Sequence, residues 1–372
     1  MPIPYHEMLT LLQTSVKPLH VKTSLPLFEA LGRINAAPIY AHFELPRSAI
    51  SLRDGYAFEL QNNSKIPLSQ TTLVSTGDAL LESMNAVIST EEAAIEENNL
   101  IVPLHVNSGC HIKKKGEDIA LQECLVKAHE PLSAYKLTAL AAQGITHVEV
   151  LDKPKVAIVS IGSHLVSLGE VLPSNALYNS NAISLGARIL DLGGDVCAIE
   201  TIIDDEALIL DTLHRLKKSA DIIITTGALS HNDGIASLIE RGMFETLFRE
   251  VAITPAKPSA LSRLGNAWML HLPGLPLGSL LGFELIGVPL LRVLMGQENP
   301  LPRSYTQINH IALKCRPCCV SVIPGFSDGT TFSCAPHYEA GRLNVLSQCN
   351  GYIRVENKES VLEGETVEFV PF

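Results

Sequence analysis

Hydrophobic and polar positions change their period several times along the chain. Residues 6–13 place Met8, Leu9, Leu11 and Leu12 at helical spacing, and a second helix is expected over 26–31 after short extended pieces. From 44 to about 126 the apolar runs are short and strand-like, at 86–89, 100–106 and 124–128, with polar or glycine-containing breaks that fit a small β-rich domain. Residues 133–144 carry a capping serine, apolar spacing and a terminal glycine, the marks of a complete helix, and 148–151 then reads as a strand. From 156 to 296 β-branched runs (156–161, 196–203, 222–226, 251–253, 269–272) alternate with amphipathic helices (181–192, 206–216, 235–241, 277–295). That alternation predicts a parallel α/β layout, in which ligands sit beyond the carboxyl ends of the strands. Past Asn299-Pro300-Leu301-Pro302 the chain is β-rich again to Phe372. The expected domains are 1–45 with 129–153, 46–128, 154–298 and 299–372, and no internal repeat is visible.

Composition narrows the class. At about 150 residues per domain, 372 residues imply two to three domains with real cores. A formal charge of −11 argues against nucleic acid and anionic membranes as partners. The N-terminus has neither a basic start nor an apolar core of a signal peptide, so the mature chain is expected to begin near Met1. The most apolar stretch, 278–296, contains Glu284, Pro289 and Arg292, which favours a buried helix over a membrane span. Eight scattered cysteines without a signal sequence fit reduced thiols in a soluble, cytoplasmic protein. Cys315, Cys318 and Cys319 cluster, but no second pair at zinc-site spacing accompanies them, and they read as ordinary strand residues.

Five segments combine glycine or proline with Asp, Asn or Ser where strands should end: Ser51-Leu52-Arg53-Asp54-Gly55-Tyr56-Ala57, Lys115-Gly116-Glu117-Asp118-Ile119, Tyr178-Asn179-Ser180-Asn181, Thr226-Gly227-Ala228-Leu229-Ser230-His231-Asn232-Asp233 and Leu272-Pro273-Gly274-Leu275-Pro276. An oxyanion or phosphate needs close backbone approach, polar donors and a carboxylate for a metal, and these segments offer all three. Taken singly, each is also a common turn or helix cap.

In order and spacing the five segments resemble the molybdopterin molybdenumtransferase family, the MoeA-type enzymes that are similar to the C-terminal domain of gephyrin. Pro46 followed by Asp54-Gly55-Tyr56-Ala57, with Ser51 at the serine position, resembles the family's Pro…Asn-Ser-x-Met-Asp-Gly-Tyr-Ala element. Lys115-Gly116-Glu117-Asp118-Ile119 resembles its Arg-x-x-Gly-Glu-Asp-Ile, Tyr178–Asn181 its Tyr-Asp-Ser-Asn, 272–276 its Leu-Pro-Gly-Asn-Pro, and Asn350-Gly351 its Ala-Asn-Gly. The resemblance spans essentially the whole chain. It implies an elongated α/β multidomain fold, with a parallel α/β molybdopterin-binding domain, small β-rich domains and a C-terminal β-barrel-like domain. It also implies a homodimer whose active site lies between the α/β domain of one subunit and the small β domain of the other. The implied reaction takes adenylylated molybdopterin and molybdate, uses Mg²⁺, and releases AMP; the implied partners are a molybdopterin adenylyltransferase and apo-molybdoenzymes. Asp54, Asp118 and Asp233 would be catalytic. Ser51, Thr90, Ser180, Gly227, Ser230, Lys257, Pro273 and Pro276 would bind substrate, and Asp204 and Asp233 would hold the metal.

Departures from the family pattern are numerous and fall at the implied site. The family's Thr-Gly-Asp-Glu is Ile161-Gly162-Ser163-His164, which removes two carboxylates; His164 reads as a surface residue, with a softer metal ligand as the alternative. Ala228 and Ala256 stand where the family has glycine, Leu275 where it has Asn, and Thr90-Glu91-Glu92-Ala93 where it has Thr-Gly-Ala. Ile50 and Arg53 alter the first motif. Two readings follow: a diverged transferase, or a weak or inactive paralogue that acts as a binding or scaffold protein in cofactor assembly. A different nucleotide or anion in the same α/β pocket is a third.

Overall fold

The computed structural model describes every residue except 20, 62, 63, 232 and 339–341. The chain forms two compact units, Met1–Thr23 with Leu151–Phe372, and Ser24–Val150.

The larger unit is built on a six-stranded sheet of β1 (Lys155–Ile161), β2 (Asp195–Ile202), β3 (Ile222–Thr226), β4 (Glu245–Arg249), β5 (Ala260–Leu264) and β6 (Ala267–Leu272), in the order β2-β1-β3-β6-β5-β4. The first four strands in that order are parallel, whereas β5 runs antiparallel to both of its neighbours, β6 and β4. Sequence periodicity predicts an all-parallel sheet and misses β4 and β5. The missed signal is Gly265-Asn266, a two-residue turn with Gly265 at φ +65° that reverses the chain between Leu264 and Ala267. Every residue of β3 is buried, as expected for a strand covered on both faces. On one face Ala157, Val159, Ile223 and Met269 pack against Ile209, Leu213 and Leu238 of the helices Glu206–Leu216 and Gly234–Glu240.

Behind the sheet runs an apolar stretch, Pro276–Leu294, whose most apolar window is 89% buried, so it is a core helix of this unit. It is helical at Pro276–Gly282 and Val288–Leu294 and widens to a π turn at Phe283–Gly287. Pro289 has no N–H to give the carbonyl four residues earlier, Leu285. That carbonyl instead accepts from the Tyr5 hydroxyl at 3.3 Å, which ties down the N-terminal helix Tyr5–Ser15 through a polar contact beside its buried Met8 and Leu12.

The segment predicted as strand 251–253 does not belong to the α/β alternation. Ile253–Thr254 pairs with Val320 and Ser321 in a second sheet. There Val320–Ser327, Thr331–Cys334, Tyr305–Asn309, Thr366–Pro371 and Gly351–Glu356 follow one another, and the pairing of the first with the last closes the sheet around Ile323, Phe332, Ile353 and Phe369. Cys315, Cys318 and Cys319 lie in the connection between Leu313–Lys314 and Val320–Ser327, not within strands.

In the smaller unit the strand Gly55–Phe58 lies between Thr71–Val74 and Ala86–Ser89. A Cβ at Gly55 would stand 1.9 Å from the Ile88 carbonyl oxygen, so only glycine permits this pairing. The helix Ala134–Ala142 is capped by the Ser133 hydroxyl, which accepts from the Lys136 amide at 3.3 Å. The helix expected over 26–31 is a single 3₁₀ turn, Leu27–Ala30, because proline sits at its entry and only four residues follow before the chain turns away.

Candidate functional site

A cavity of about 740 Å³ opens at the carboxyl ends of β1, β3 and β6. Asparagines tie its walls. The Asn179 amide donates to Thr201 Oγ1 of β2 at 2.9 Å, and its carbonyl accepts from Ser160 Oγ of β1 at 2.9 Å. Asn181 donates to Thr226 Oγ1 at 3.1 Å and to the Gly274 carbonyl at 2.8 Å, while Thr226 donates to the Pro273 carbonyl at 3.3 Å. Strand ends that carry no covalent link are thereby held in one rigid frame. The helices Ser180–Asp191 and Pro276–Gly282 both begin at the cavity wall, which aims positive dipole ends at it. Gly227 has φ +97°, and a Cβ there would lie 2.4 Å from the Ile161 carbonyl oxygen. Of the residues expected to bind substrate, Ser180, Gly227, Ser230, Pro273 and Pro276 line this cavity together.

Lys257 lines an adjoining cavity of about 490 Å³ with Arg316, Cys318 and Cys319, and Pro258, Pro273 and Leu275 form walls of both. Its Nζ lies 3.8 Å from an exposed Glu250 carboxylate. Asp204 and Asp233 sit beside the cavity loop, and each commits an oxygen to backbone. Asp204 Oδ1 accepts from the Gly234 amide at 3.0 Å and Asp233 Oδ2 from the Ser230 amide at 2.7 Å. Among the described residues no group of three His, Cys, Asp or Glu side chains could hold a metal ion. Mg²⁺ keeps several waters and needs only one or two protein carboxylates beside substrate phosphates, so two aspartates are the number such an ion asks for.

Behind the cavity, His271 of β6 is fully buried between Thr225 Oγ1 (2.8 Å from Nδ1) and Ser262 Oγ (2.7 Å from Nε2), and it stacks on Phe244. Burial lowers its pKa from 6.5 to about 3, so it is neutral across ordinary pH.

The remaining expected residues belong to the smaller unit. The Asp54 carboxylate accepts from the Thr76 amide at 2.6 Å, and hydrogen bonds from Thr76 hold its pKa below the ordinary range. Thr90 donates to the Asp54 carbonyl through its amide at 2.9 Å and its hydroxyl at 3.1 Å. Ser51 is buried, and its hydroxyl donates to the Arg53 carbonyl at 2.6 Å, so it shapes the turn that presents Asp54. Asp118 pairs with Lys113, whose backbone lies opposite Ile50. Ser51, Asp54 and Thr90 thus form one cluster, and Asp118, in the bend after Ile112–Lys113, is tied to the neighbouring strand pair through Lys113.

Two family descriptions match the chain: "MoeA N-terminal region (domain I and II)" over residues 3–144 and "Probable molybdopterin binding domain" over 157–293. The chain belongs to the MoeA-type molybdopterin molybdenumtransferase family. A family member from Haemophilus influenzae, named molybdopterin molybdenumtransferase, is 27% identical over 377 residues, covering 94% of this chain and 93% of its own. Molybdopterin molybdenumtransferase 2 of Mycobacterium tuberculosis is 28% identical over 308 residues, 74% of this chain and 76% of its own. The crystal structure of the molybdopterin biosynthesis MoeA protein from Pyrococcus horikoshii superposes with a TM-score of 0.82 at 25% identity, covering 100% of this chain and 99% of that one. The 157–293 match contains the whole 740 Å³ cavity lining except Leu343.

Within this MoeA-type site, sequence reasoning passed over Asn179 and Asn181 as binding-frame residues, whereas His164 is exposed, as read from the sequence. Both asparagines stand in the Tyr178–Asn181 motif, so the signal was present, but their partners Thr201, Thr226 and Gly274 are remote in sequence. His164 lines the cavity.

Proposed function

We propose that this protein acts in molybdenum cofactor biosynthesis as a molybdopterin molybdenumtransferase, inserting molybdate into adenylylated molybdopterin with release of AMP. The reading is carried by the convergence of Ser180, Gly227, Ser230, Pro273 and Pro276 on one cavity between two helix N-termini. Breaking a phosphoanhydride asks mainly for charge neutralisation and positioning. Here the hydroxyls of Ser180 and Ser230 and the first amides of the helix Ser180–Asp191 supply donors for phosphate oxygens, while the apolar wall of Leu172, Leu177, Leu229 and Leu275 excludes water from the ligand's ring systems. Molybdate, a tetrahedral dianion, suits the adjoining cavity, where Lys257 and Arg316 carry positive charge.

In the same reading Asp54, Asp118 and Asp233 take the catalytic roles that the family resemblance gives them, and Ser51 and Thr90 hold the Asp54 turn. Mg²⁺ would fall to Asp204 and Asp233, with water and substrate phosphate oxygens completing its shell, and would neutralise phosphate charge there. The protein would work as a soluble cytoplasmic homodimer that receives its substrate from an adenylyltransferase and passes the product to apo-molybdoenzymes. The test is AMP release from adenylylated molybdopterin with molybdate, coupled to activation of a molybdenum-free apo-enzyme, for the native protein, Asp54→Ala and Ser180→Ala. Release that depends on molybdate and drops at least about a hundredfold in Asp54→Ala supports the reading. No release, while a relative works under the same conditions, removes it.

A further inference from the structure

Among the described residues that line the 740 Å³ cavity there is no Asp, Glu, Lys or Arg, and His164 is the one imidazole, a ring N–H donor among otherwise hydroxyl, amide and apolar groups. The geometry points to His164 as the phosphate contact of this cavity, which would let it hold an adenylate without a divalent cation. The inference rests on the reading of the cavity as the adenylate site.

Three observations carry it. First, no Asp or Glu is among the described residues that line the cavity, so none of its walls offers a carboxylate to anchor a bridging cation. Second, His164 stands on the loop after β1, and its amide-linked neighbour Leu165 lines the cavity as well; the His164 carbonyl accepts from the Leu177 amide at 2.8 Å, so the loop is fixed to the adjacent pair Leu177–Tyr178, which also lines the cavity. Third, the remaining polar lining consists of hydroxyls, amides and helix N-termini, all of them neutral donors suited to anionic oxygens. On a chain of net charge −11 the general field opposes an incoming anion, and Lys257 and Arg316 line the adjoining cavity instead. A local imidazole N–H then decides whether phosphate is favoured over a neutral ligand of the same shape. A carboxylate at this position would repel phosphate unless a cation came between them.

The experiment is isothermal titration of the full-length protein, His164→Gln and His164→Glu with AMP and with adenosine, each in EDTA and in Mg²⁺. The native protein is expected to bind AMP in EDTA about tenfold or more tightly than adenosine, since a hydrogen bond to a charged group has that worth. In His164→Gln the preference for AMP should vanish while adenosine binding stays, which separates a lost contact from a disturbed fold. In His164→Glu, AMP should bind more weakly than in His164→Gln when EDTA is present. AMP binding that requires Mg²⁺, or an AMP preference that survives in His164→Gln, overturns the inference. So does failure to bind either ligand when the native protein still releases AMP from adenylylated molybdopterin, and in that case the transferase reading stands. His164-dependent AMP binding without such release leaves the inference intact and removes the transferase reading instead.

Discussion

At the scale of single residues, the substitutions that set this chain apart from its family keep the backbone that glycine would have. Ala228 lies at φ +55° and Ala256 at φ +85°, in the left-handed region that side chains disfavour by about 1–2 kcal/mol. The loops therefore hold their shape because surrounding contacts over-determine them: the Ala228 carbonyl accepts from the Ala236 amide, and the Ala256 carbonyl from the Ser259 amide and hydroxyl. The buried His271 makes stability depend on pH. Its folded pKa is depressed to about 3 while the unfolded chain protonates near 6.5, so the unfolded state binds more protons between these values. Stability is full above pH 6.5 and is lost as pH falls toward 3. From pH 7.5 to 5 this group alone removes about 2 kcal/mol. Denaturant unfolding of the larger unit at the two pH values checks this, and His271→Gln should flatten the difference by a similar amount.

At the scale of elements, the two helices that begin at the cavity are joined again further along. Arg188 in the last turn of Ser180–Asp191 meets Glu284 in the π turn, with Nε to Oε1 at 2.7 Å and Nη2 to Oε2 at 3.2 Å. Glu284 has only 6% of its side chain exposed, so removing one partner leaves a poorly hydrated charge. Glu284→Ala should cost about 3 kcal/mol, read from the unfolding midpoint of the larger unit, and Glu284→Gln, which keeps hydrogen bonds to Arg188, should cost less. The Asn181 bridge to Gly274 at the cavity end and the Arg188–Glu284 pair thus fix both the position and the direction of the helix N-termini. Periodicity predicts an unbroken helix over 277–295; the π turn sits where Pro289 breaks the hydrogen-bond ladder, and its satisfaction by Tyr5 depends on a residue 280 positions away.

At the scale of the whole molecule, two compact units with separate cores argue against a single unfolding step. The smaller unit divides its apolar interior among small clusters around Phe58 and Leu100, Leu132 and Leu140, and Ala57 and Val87, whereas the larger holds an extended sheet core. Calorimetry should show a calorimetric enthalpy that exceeds the van't Hoff value, and AMP should raise only the transition of the unit that contains the cavity. Coincident transitions by fluorescence and circular dichroism, both shifted equally by AMP, would contradict this.

Much of this organisation is local and was legible without coordinates. The helix Glu206–Leu216 and the strand Ile222–Thr226 follow from periods of 3.6 and 2, and the five polar turn segments from the small set of residues that tolerate sharp turns. Order and spacing of those segments also carried the family. Tertiary structure decided what depends on partners distant in sequence. It placed Ile253–Thr254 in a different sheet, turned β5 antiparallel to its neighbours, gave Asn181 and Thr226 a shared hydrogen bond, and left His164 as the one imidazole among the described residues of the cavity wall. Propensity and periodicity act over a few residues, whereas the charge balance of a cavity is a sum over side chains that only the folded chain brings together.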